Sequence, residues 1–245
     1  MPRLHHSSFP LSRRALLAAL VAVPVHASIR VGGARFRVVQ RGSSTRRYIH
    51  IHGNEATARE ILIEHMRTAS GVAFLVEGND RYVPANSGKL DPNRMFSRVG
   101  AEQNLRRLNP GWSRAQVERI LDGLDRDLPR LLRRLLPPDG GLLMSLHNNS
   151  EGYSIRDETG ISDRVSLKEP DRPHEFFLCT DPLDFERLAA SPYNVVLQQK
   201  APPDDDGSLS RLCALRGVRY VNLECGLGRA AEQRERLAWA ESHLS

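Results

Sequence analysis

Between Gly141 and His147 the chain reads Gly-Leu-Leu-Met-Ser-Leu-His. A strand this poor in polar residues has to be covered on both faces, so 142–146 is predicted to lie at the centre of a sheet with helices on either side. The rest of the chain supplies the partners. The runs 35–40, 48–52, 72–76, 176–179, 195–197 and 218–223 read as further strands. Helical segments separate them at 55–70, 100–108, 113–136, 182–190, 208–216 and 229–243. Asp181 is placed to cap the helix that opens at Pro182, and Gly71 to close the helix that opens at Glu55. Pro129 is expected to break or restart the longest helix. The segments 77–97 and 148–173 are polar and irregular, with a short strand at 165–167, and 202–207 is a loop. There is no internal repeat. Strands alternating with helices predict an α/β fold: one domain, built on a mixed, largely parallel sheet with helices on both faces. Functional residues of such sheets lie at the carboxyl ends of strands, and His52, His147 and Glu224 fall there.

The 245 residues suit one such domain preceded by a targeting segment. Ser12-Arg13-Arg14-Ala15-Leu16-Leu17 has the form of a twin-arginine signal. An apolar run over 15–25 follows, too short to span a bilayer, and Val25-His26-Ala27 offers a small-x-small cleavage pattern. Residues 1–27 are therefore expected to be a signal peptide and 28–245 the catalytic domain, exported to the periplasm or beyond and without a transmembrane segment. The twin-arginine route carries proteins already folded, which suits a metal site. Of the formal net charge of +6, residues 1–27 contribute Arg3, Arg13 and Arg14 and no acid. The remaining arginines are scattered among Asp and Glu, a pattern that excludes a nucleic-acid partner. Cys179, Cys213 and Cys225 form no CxxC pair and no readable disulfide framework.

The stretch Tyr48-Ile-His-Ile-His52-Gly-Asn-Glu55 delivers a His at the end of a strand and a Glu at the start of a helix. That is a compact way to aim two ligands at one metal. His147, at the end of the central strand, is the candidate third ligand. Two histidines and a glutamate with one open position form the ligand set of hydrolytic zinc sites, so one Zn²⁺ per chain is expected. His50 shares the strand with His52 and reads as a satisfied core histidine. Trp112 and Trp239 read as core, and Tyr153 and Tyr193 take no role. Glu224 closing an apolar strand is hard to explain as core, because an unpaired buried carboxylate is expensive.

Five pieces occur in order: His52-Gly-Asn-Glu55, Arg81-Tyr82-Val83, Asp91-Pro-Asn93-Arg94-Met-Phe96, Leu146-His147-Asn148-Asn149 and Glu224-Cys-Gly226. This series resembles the zinc carboxypeptidase superfamily, and within it the aspartoacylase and succinylglutamate desuccinylase branch. The resemblance implies that His52, Glu55 and His147 hold zinc and that Glu224 is the general base. It further implies that Arg81 polarises the scissile carbonyl, that Asn93 and Arg94 grip a substrate carboxylate, and that Asp91 orients His52.

Three departures bear on the substrate. The run Pro84-Ala-Asn-Ser-Gly-Lys-Leu90 is longer than the branch carries and puts the position of Arg81 in question. The chain ends about twenty residues after Glu224, so the β-rich extension that shapes the acyl-amino-acid pocket of aspartoacylases is not expected. The Tyr that carboxypeptidases carry shortly before the late Glu has no counterpart in the loop 199–210. The expected function is an exported zinc amidohydrolase that cleaves an amide next to a carboxylate-bearing residue, as a peptidase on short or cell-wall peptides. The alternatives are an N-acyl amino acid deacylase and a catalytically inactive relative that binds peptides.

Overall fold

The computed structural model describes residues 27–149 and 152–244. The chain enters through β1 (Ala27–Val31) and β2 (Ala34–Arg41), a hairpin, and continues into β3 (Arg47–His50), α1 (Ala56–His65) and β4 (Gly71–Val76). A small hairpin follows, β5 (Val83–Ala85) and β6 (Gly88–Leu90), then a 3-10 turn (Pro92–Arg94) and two helices, α2 (Arg98–Leu108) and α3 (Arg114–Leu135). The central strand β7 (Leu143–Asn148) leads to α4 (Ile155–Thr159), β8 (Arg164–Ser166), β9 (Phe176–Cys179) and α5 (Pro182–Ala189). The last elements are β10 (Asn194–Leu197), α6 (Leu209–Leu215), β11 (Tyr220–Cys225) and α7 (Ala230–His243).

Among the described residues, nine strands make one sheet in the order β1-β2-β4-β3-β7-β11-β9-β10-β8. Its centre, β4-β3-β7-β11, is parallel throughout, and so is the pair β9–β10, whereas β1, β2 and β8 are antiparallel additions and β9 runs against β11. The sheet is mixed, as expected, with its parallel pairing concentrated where it holds the candidate ligands. Successive side chains of a strand point to opposite faces, and the core divides accordingly. Ile49, Phe74 and Leu143 pack with Leu105 of α2, Val117 and Leu121 of α3 and Leu209 of α6. Tyr48, Ala73, Met144 and Leu223 pack with Leu62 of α1, Phe185 of α5 and Leu237 of α7. Helices thus cover both faces, which is why the central strands carry apolar residues on both. Of the tryptophans, Trp112 lies in the turn before α3 and Trp239 on α7, each partly buried against one of these clusters.

Several boundaries differ from the sequence reading. β1 had no counterpart there because 1–27 was assigned to a signal segment, yet Ala27 already pairs with Val38; the rest of that segment lies outside the described residues. α1 ends at His65, and Gly71, read as its terminator, opens β4 opposite Arg41. The 77–97 loop contains the β5–β6 hairpin, turning through Asn86 at φ +50°. α4 was missed although its capping box, Ser154 with Asp157, stands in the sequence. Among the described residues no helix is long and apolar enough to cross a membrane.

The expected break at Pro129 does not occur, and α3 runs through it for 22 residues. Pro129 is exposed, while Leu124 on one side and Leu131, Leu132 and Leu135 on the other are buried. Burial of this stripe and the capping box of Ser113 with Gln116 outweigh one lost hydrogen bond. The proline therefore remains a net penalty that packing absorbs. Pro129→Ala is expected to raise stability by about 1–3 kcal/mol, because it restores the donor and relieves the ring's clash with the preceding turn. Urea denaturation followed by circular dichroism checks it; an unchanged midpoint would show that the helix had already relaxed around the proline.

Candidate metal centre and cavity

Parallel pairing of β7 with β11 sets Glu224 directly beside His147. The same alternation that sends Leu146 and Leu223 into one apolar cluster sends Ser145, His147, Tyr220, Asn222 and Glu224 to the other face. These polar groups bond to one another. The Ser145 hydroxyl donates to Asn222 Oδ1 at 2.8 Å and lies 2.5 Å from the Tyr220 hydroxyl, and Asn222 Nδ2 donates to Glu224 Oε1 at 2.9 Å. A polar track therefore climbs the two central strands and ends at Glu224.

His52 lies two residues beyond β3, where Glu55 N–H donates to His52 O and closes a tight turn into α1. Glu55 occupies the N-cap position of α1, yet its side chain makes no cap bond. Its Oε1 lies 2.7 Å from His52 Nδ1, and its Oε2 lies 3.1 Å from His147 Nδ1 and accepts the Asn148 N–H at 3.1 Å. Asn148 does the capping instead, its Oδ1 accepting the Ala58 N–H at 2.8 Å. Below this, His50 bonds through Nε2 to the Glu55 carbonyl at 3.0 Å. It is a buried support for the turn, and its burial pulls its pKa down to about 4.

Asp91 reaches His52 from the opposite side, with Oδ1 2.9 Å from Nε2. The same oxygen accepts the Asn93 N–H at 2.9 Å, which holds the 3-10 turn. His52 thus presents both ring nitrogens to carboxylates. Burial alone would lower its pKa, and Asp91 and Glu55 reverse that and raise it. Burial pushes the Asp91 carboxyl up, but its hydrogen bond to His52, the imidazolium charge and Arg81 bring it down to about 2. Glu55 is likewise held well below the usual carboxylate range, the two histidines outweighing its burial. Candidate ligand atoms of His52, Glu55 and His147 all lie within 4.8 Å of one another. Two imidazole nitrogens aimed at one carboxylate are the arrangement that a cation would complete by replacing the ring protons.

The remaining predicted residues line the same cavity, of about 460 Å³. The run 84–90 that put Arg81 in question folds away as the β5–β6 hairpin and returns the chain to Asp91. Arg81 consequently sits 3.4 Å from Glu55 Oε1 and 3.6 Å from Asp91 Oδ2, with 43% of its side chain exposed. Asn93 Oδ1 accepts the Leu209 N–H at 3.1 Å, which ties the turn to α6. Arg94 donates to the Asn93 carbonyl and lies 3.7 Å from Asp206. The far wall was not foreseen. It consists of Tyr153, Glu158, Asp206, Ser208, Ser210 and Arg211, from segments read as irregular chain, loop and helix. The available signals were the polar residues inside apolar elements: Ser145 and Asn222 in strands, and Arg211 between Leu209 and Leu212.

Gly53 separates the two candidate ligands of the first turn. A Cβ there would meet Asp80 O at 2.6 Å, Gly78 O at 2.8 Å and Asp80 N at 2.9 Å, all backbone of the loop that carries Arg81. Gly53→Ala is expected to destabilise the fold by about 1–3 kcal/mol, the range for forced overpacking, and to weaken retention of divalent metal with it. Thermal unfolding with and without added zinc checks both effects; wild-type values in each would show that the loop 78–80 yields freely.

No protein-family model matches this chain, and no curated protein does. Among solved structures it is similar to a murein-tripeptide amidase from Escherichia coli O157, with 16% identity over 96% of this chain and 97% of that one and a TM-score of 0.47. It is similar to a succinylglutamate desuccinylase from Silicibacter sp. TM1040, with 16% identity over 86% of this chain and a TM-score of 0.44. It is also similar to an aspartoacylase family protein from Mesorhizobium loti, with 15% identity over 89% of this chain and a TM-score of 0.44. The alignments span 60% and 65% of the latter two proteins.

Proposed function

We propose that this chain is a zinc-dependent hydrolase that cleaves an amide bond next to a carboxylate-bearing residue, acting on short or cell-wall peptides. The observation that carries the reading is the meeting of His52, Glu55 and His147 in one cavity with Glu224, Arg81 and Arg94. Nδ1 of each histidine and the Glu55 carboxylate would hold the ion, a donor set that suits Zn²⁺. What the ion supplies when bound is Lewis acidity, which polarises a carbonyl and lowers the pKa of water toward about 7.

The chain's own groups account for the proton and for the substrate. Glu224 is buried, and its burial and the charge of Glu55 raise its pKa against the pull of His147 and Asn222. A carboxylate so raised takes a proton from water more readily and can return it to the departing amine. Asn222 holds one of its oxygens by a hydrogen bond. Arg81 would stabilise negative charge developing on the scissile carbonyl oxygen. Arg94 would take the substrate carboxylate, the planar guanidinium matching it in two hydrogen bonds, with Asn93 beside it. Asp91 would hold His52 in the orientation that aims Nδ1 inward. Export by the twin-arginine route belongs to the same proposal and rests on the N-terminal sequence. A second reading, deacylation of N-acyl amino acids, is favoured by Arg81-Tyr82 and Leu146-His147-Asn148; a panel of short peptides against N-acyl amino acids separates the two.

The central experiment compares metal content and turnover in three proteins. His147→Ala is expected to lose both metal and activity. Glu224→Gln is expected to keep the metal while turnover falls about 10²–10⁴-fold. Equal metal in wild type and His147→Ala would sink the ligand assignment, and activity within a few-fold of wild type in Glu224→Gln would remove the base.

For Arg94, the test is kcat/KM on paired free-acid and amidated substrates. Arg94→Ala should cost free acids about 1.5–3 kcal/mol, the worth of a charge-assisted hydrogen bond, and leave amidated analogues little changed, with Lys a partial substitute. Equal losses on both substrates would make Arg94 a structural residue through its contacts with Asp206 and the Asn93 carbonyl.

A further inference from the structure

A second polar cavity opens at the opposite end of the parallel strands. The candidate ligands lie at the carboxyl ends of β3 and β7, whereas this cavity, of about 350 Å³, lies beside the amino ends of β3 and β4. Arg47, the loop Gly42-Ser43-Ser44, and Arg133 and Arg134 in the last turn of α3 line it. Arg47 is fixed by acceptors that carry no net charge. Its Nε donates to Arg134 O at 3.2 Å, and its Nη1 donates to Ser44 O at 3.0 Å and to Arg46 O at 2.9 Å. Burial and the charge of Arg134 together pull its pKa down. Ser44 Oγ accepts the Arg46 N–H at 3.1 Å, which leaves the hydroxyl hydrogen to donate.

No carboxylate answers these charges. Among the described residues none of Arg47, Arg133 and Arg134 forms an ion pair. The acids nearest to Arg133 along the chain, Asp127 and Asp139, do not line the cavity, and Asp127 is taken by Arg126 and the Gly32 N–H. The carboxyl end of α3 offers about half a negative charge against three whole positive ones. An oxyanion would complete the site, and a guanidinium matches a phosphoryl group in two hydrogen bonds.

The surroundings narrow the class of anion. A neighbouring cavity, also of about 350 Å³, shares Arg133 and is otherwise lined by Pro129, Leu132, Leu136 and Arg216. Leu215, the residue before Arg216, is 67% exposed. Neither cavity presents an aromatic ring, so the bases of a nucleic acid would have nothing to stack on. Cations interleaved with apolar side chains suit the surface of an anionic bilayer, where phosphates meet the arginines and the adjoining apolar atoms meet proline and leucine.

We infer that this end of the molecule is a docking site for an anionic phospholipid surface, with a lipid phosphoryl group seated between Arg47, Arg133 and Arg134. Docking there leaves the cavity of His52 and Glu224, at the opposite ends of the strands, on the side away from the bilayer. The inference does not depend on the reaction proposed above.

Sedimentation of the full chain with vesicles tests this. Vesicles of phosphatidylcholine with phosphatidylglycerol are expected to carry down more protein than phosphatidylcholine alone. Arg133→Gln combined with Arg134→Gln should weaken binding to the anionic vesicles about tenfold or more, since each basic side chain at such a surface counts several-fold. Arg114→Gln combined with Arg119→Gln removes the same charge from the first turns of the same helix, about 20–30 Å away, and should weaken binding less than about threefold because that distance exceeds the screening length. Thermal unfolding establishes that both variants are folded. Amide hydrogen exchange on wild type needs no variant, and the anionic vesicles should slow it at 41–46. Equal losses in the two double variants would show a response to net charge alone and overturn the site. Unchanged exchange at 41–46 would overturn it too, by placing any binding elsewhere. Protection of 41–46 by inorganic phosphate but not by vesicles would make this a site for a small anion and overturn the membrane reading.

Discussion

A single buried carboxylate, that of Glu55, holds the centre together. It is 3% exposed, and a lone charge at that depth would not survive as a charge. Four donors or cations keep it ionised: His52 and Arg81 on one oxygen, and His147 and the Asn148 N–H on the other. They come from three pieces of chain, so the carboxylate, itself at the start of α1, joins the end of β3, the loop before β5 and the end of β7. The dependence runs both ways. Glu55 gives up the cap of its own helix, and Asn148 supplies that cap from the strand that also delivers His147. Removing any partner would leave charge buried without compensation, which is more damaging than the interaction is stabilising.

The polar track on β7 and β11 is the second constraint. Central parallel strands are normally apolar on both faces, and here one face of the two middle strands departs from that at Ser145, His147, Tyr220, Asn222 and Glu224. Four of the departures answer one another, Ser145 serving both Tyr220 and Asn222, and Asn222 serving Glu224, while His147 is answered by Glu55. Apolar residues of the same face flank the track on the neighbouring strands, Ile49 beside Ser145, Leu178 beside Asn222 and Phe176 beside Glu224. The site is therefore a place where the core is replaced by a self-satisfied hydrogen-bond network rather than a depression laid over a finished core.

What was legible in the sequence follows from this construction. The central strands and both helical layers could be read because burial on two faces leaves a local signature. His52, His147 and Glu224 could be located because they lie at the ends of such strands, Glu55 because it opens the helix that follows, and Asp91 because it sits in a recognisable motif. β1 and α4 were not read, one because it begins where a cleavage site was drawn, the other because a five-residue helix has too little periodicity to register. Pro129 misled because local propensity was allowed to outrank a stripe of buried leucines that continues past it. The far wall of the cavity was invisible for a deeper reason. Tyr153, Glu158, Gln198 and Arg211 meet only through tertiary pairing, across sequence separations of 40 and 13 residues for the Gln198 contacts, and nothing local marks them as partners.

The end of the cavity that holds the candidate ligands and the end that holds Arg94 and Arg211 have different anchors. His147 and Glu224 stand on central strands, and His52 just past the end of one, whereas Arg94 and Arg211 stand on a 3-10 turn and a short helix. The two ends are joined through the turn Pro92–Arg94. Asp91, at its start, orients His52, and Asn93, two residues on, accepts the N–H of Leu209 at the start of α6. The loop before α6 is clasped to the same segment: Phe96 N–H donates to Gly207 O, Ser97 Oγ donates to Asp205, and Gly100 and Gly207 approach so closely that a Cβ on Gly100 would meet the Gly207 nitrogen at 2.1 Å. Gly207, at φ +74°, adopts a backbone conformation suited to glycine at that contact. A ligand that pulls on Arg94 or Arg211 therefore acts on a unit whose other attachment is the carboxylate holding His52. On the proposed function, the residue that would read the substrate's charge and the residue that would aim a metal ligand stand on one turn of chain, and the short reach from Asp91 to Arg94 is what couples them.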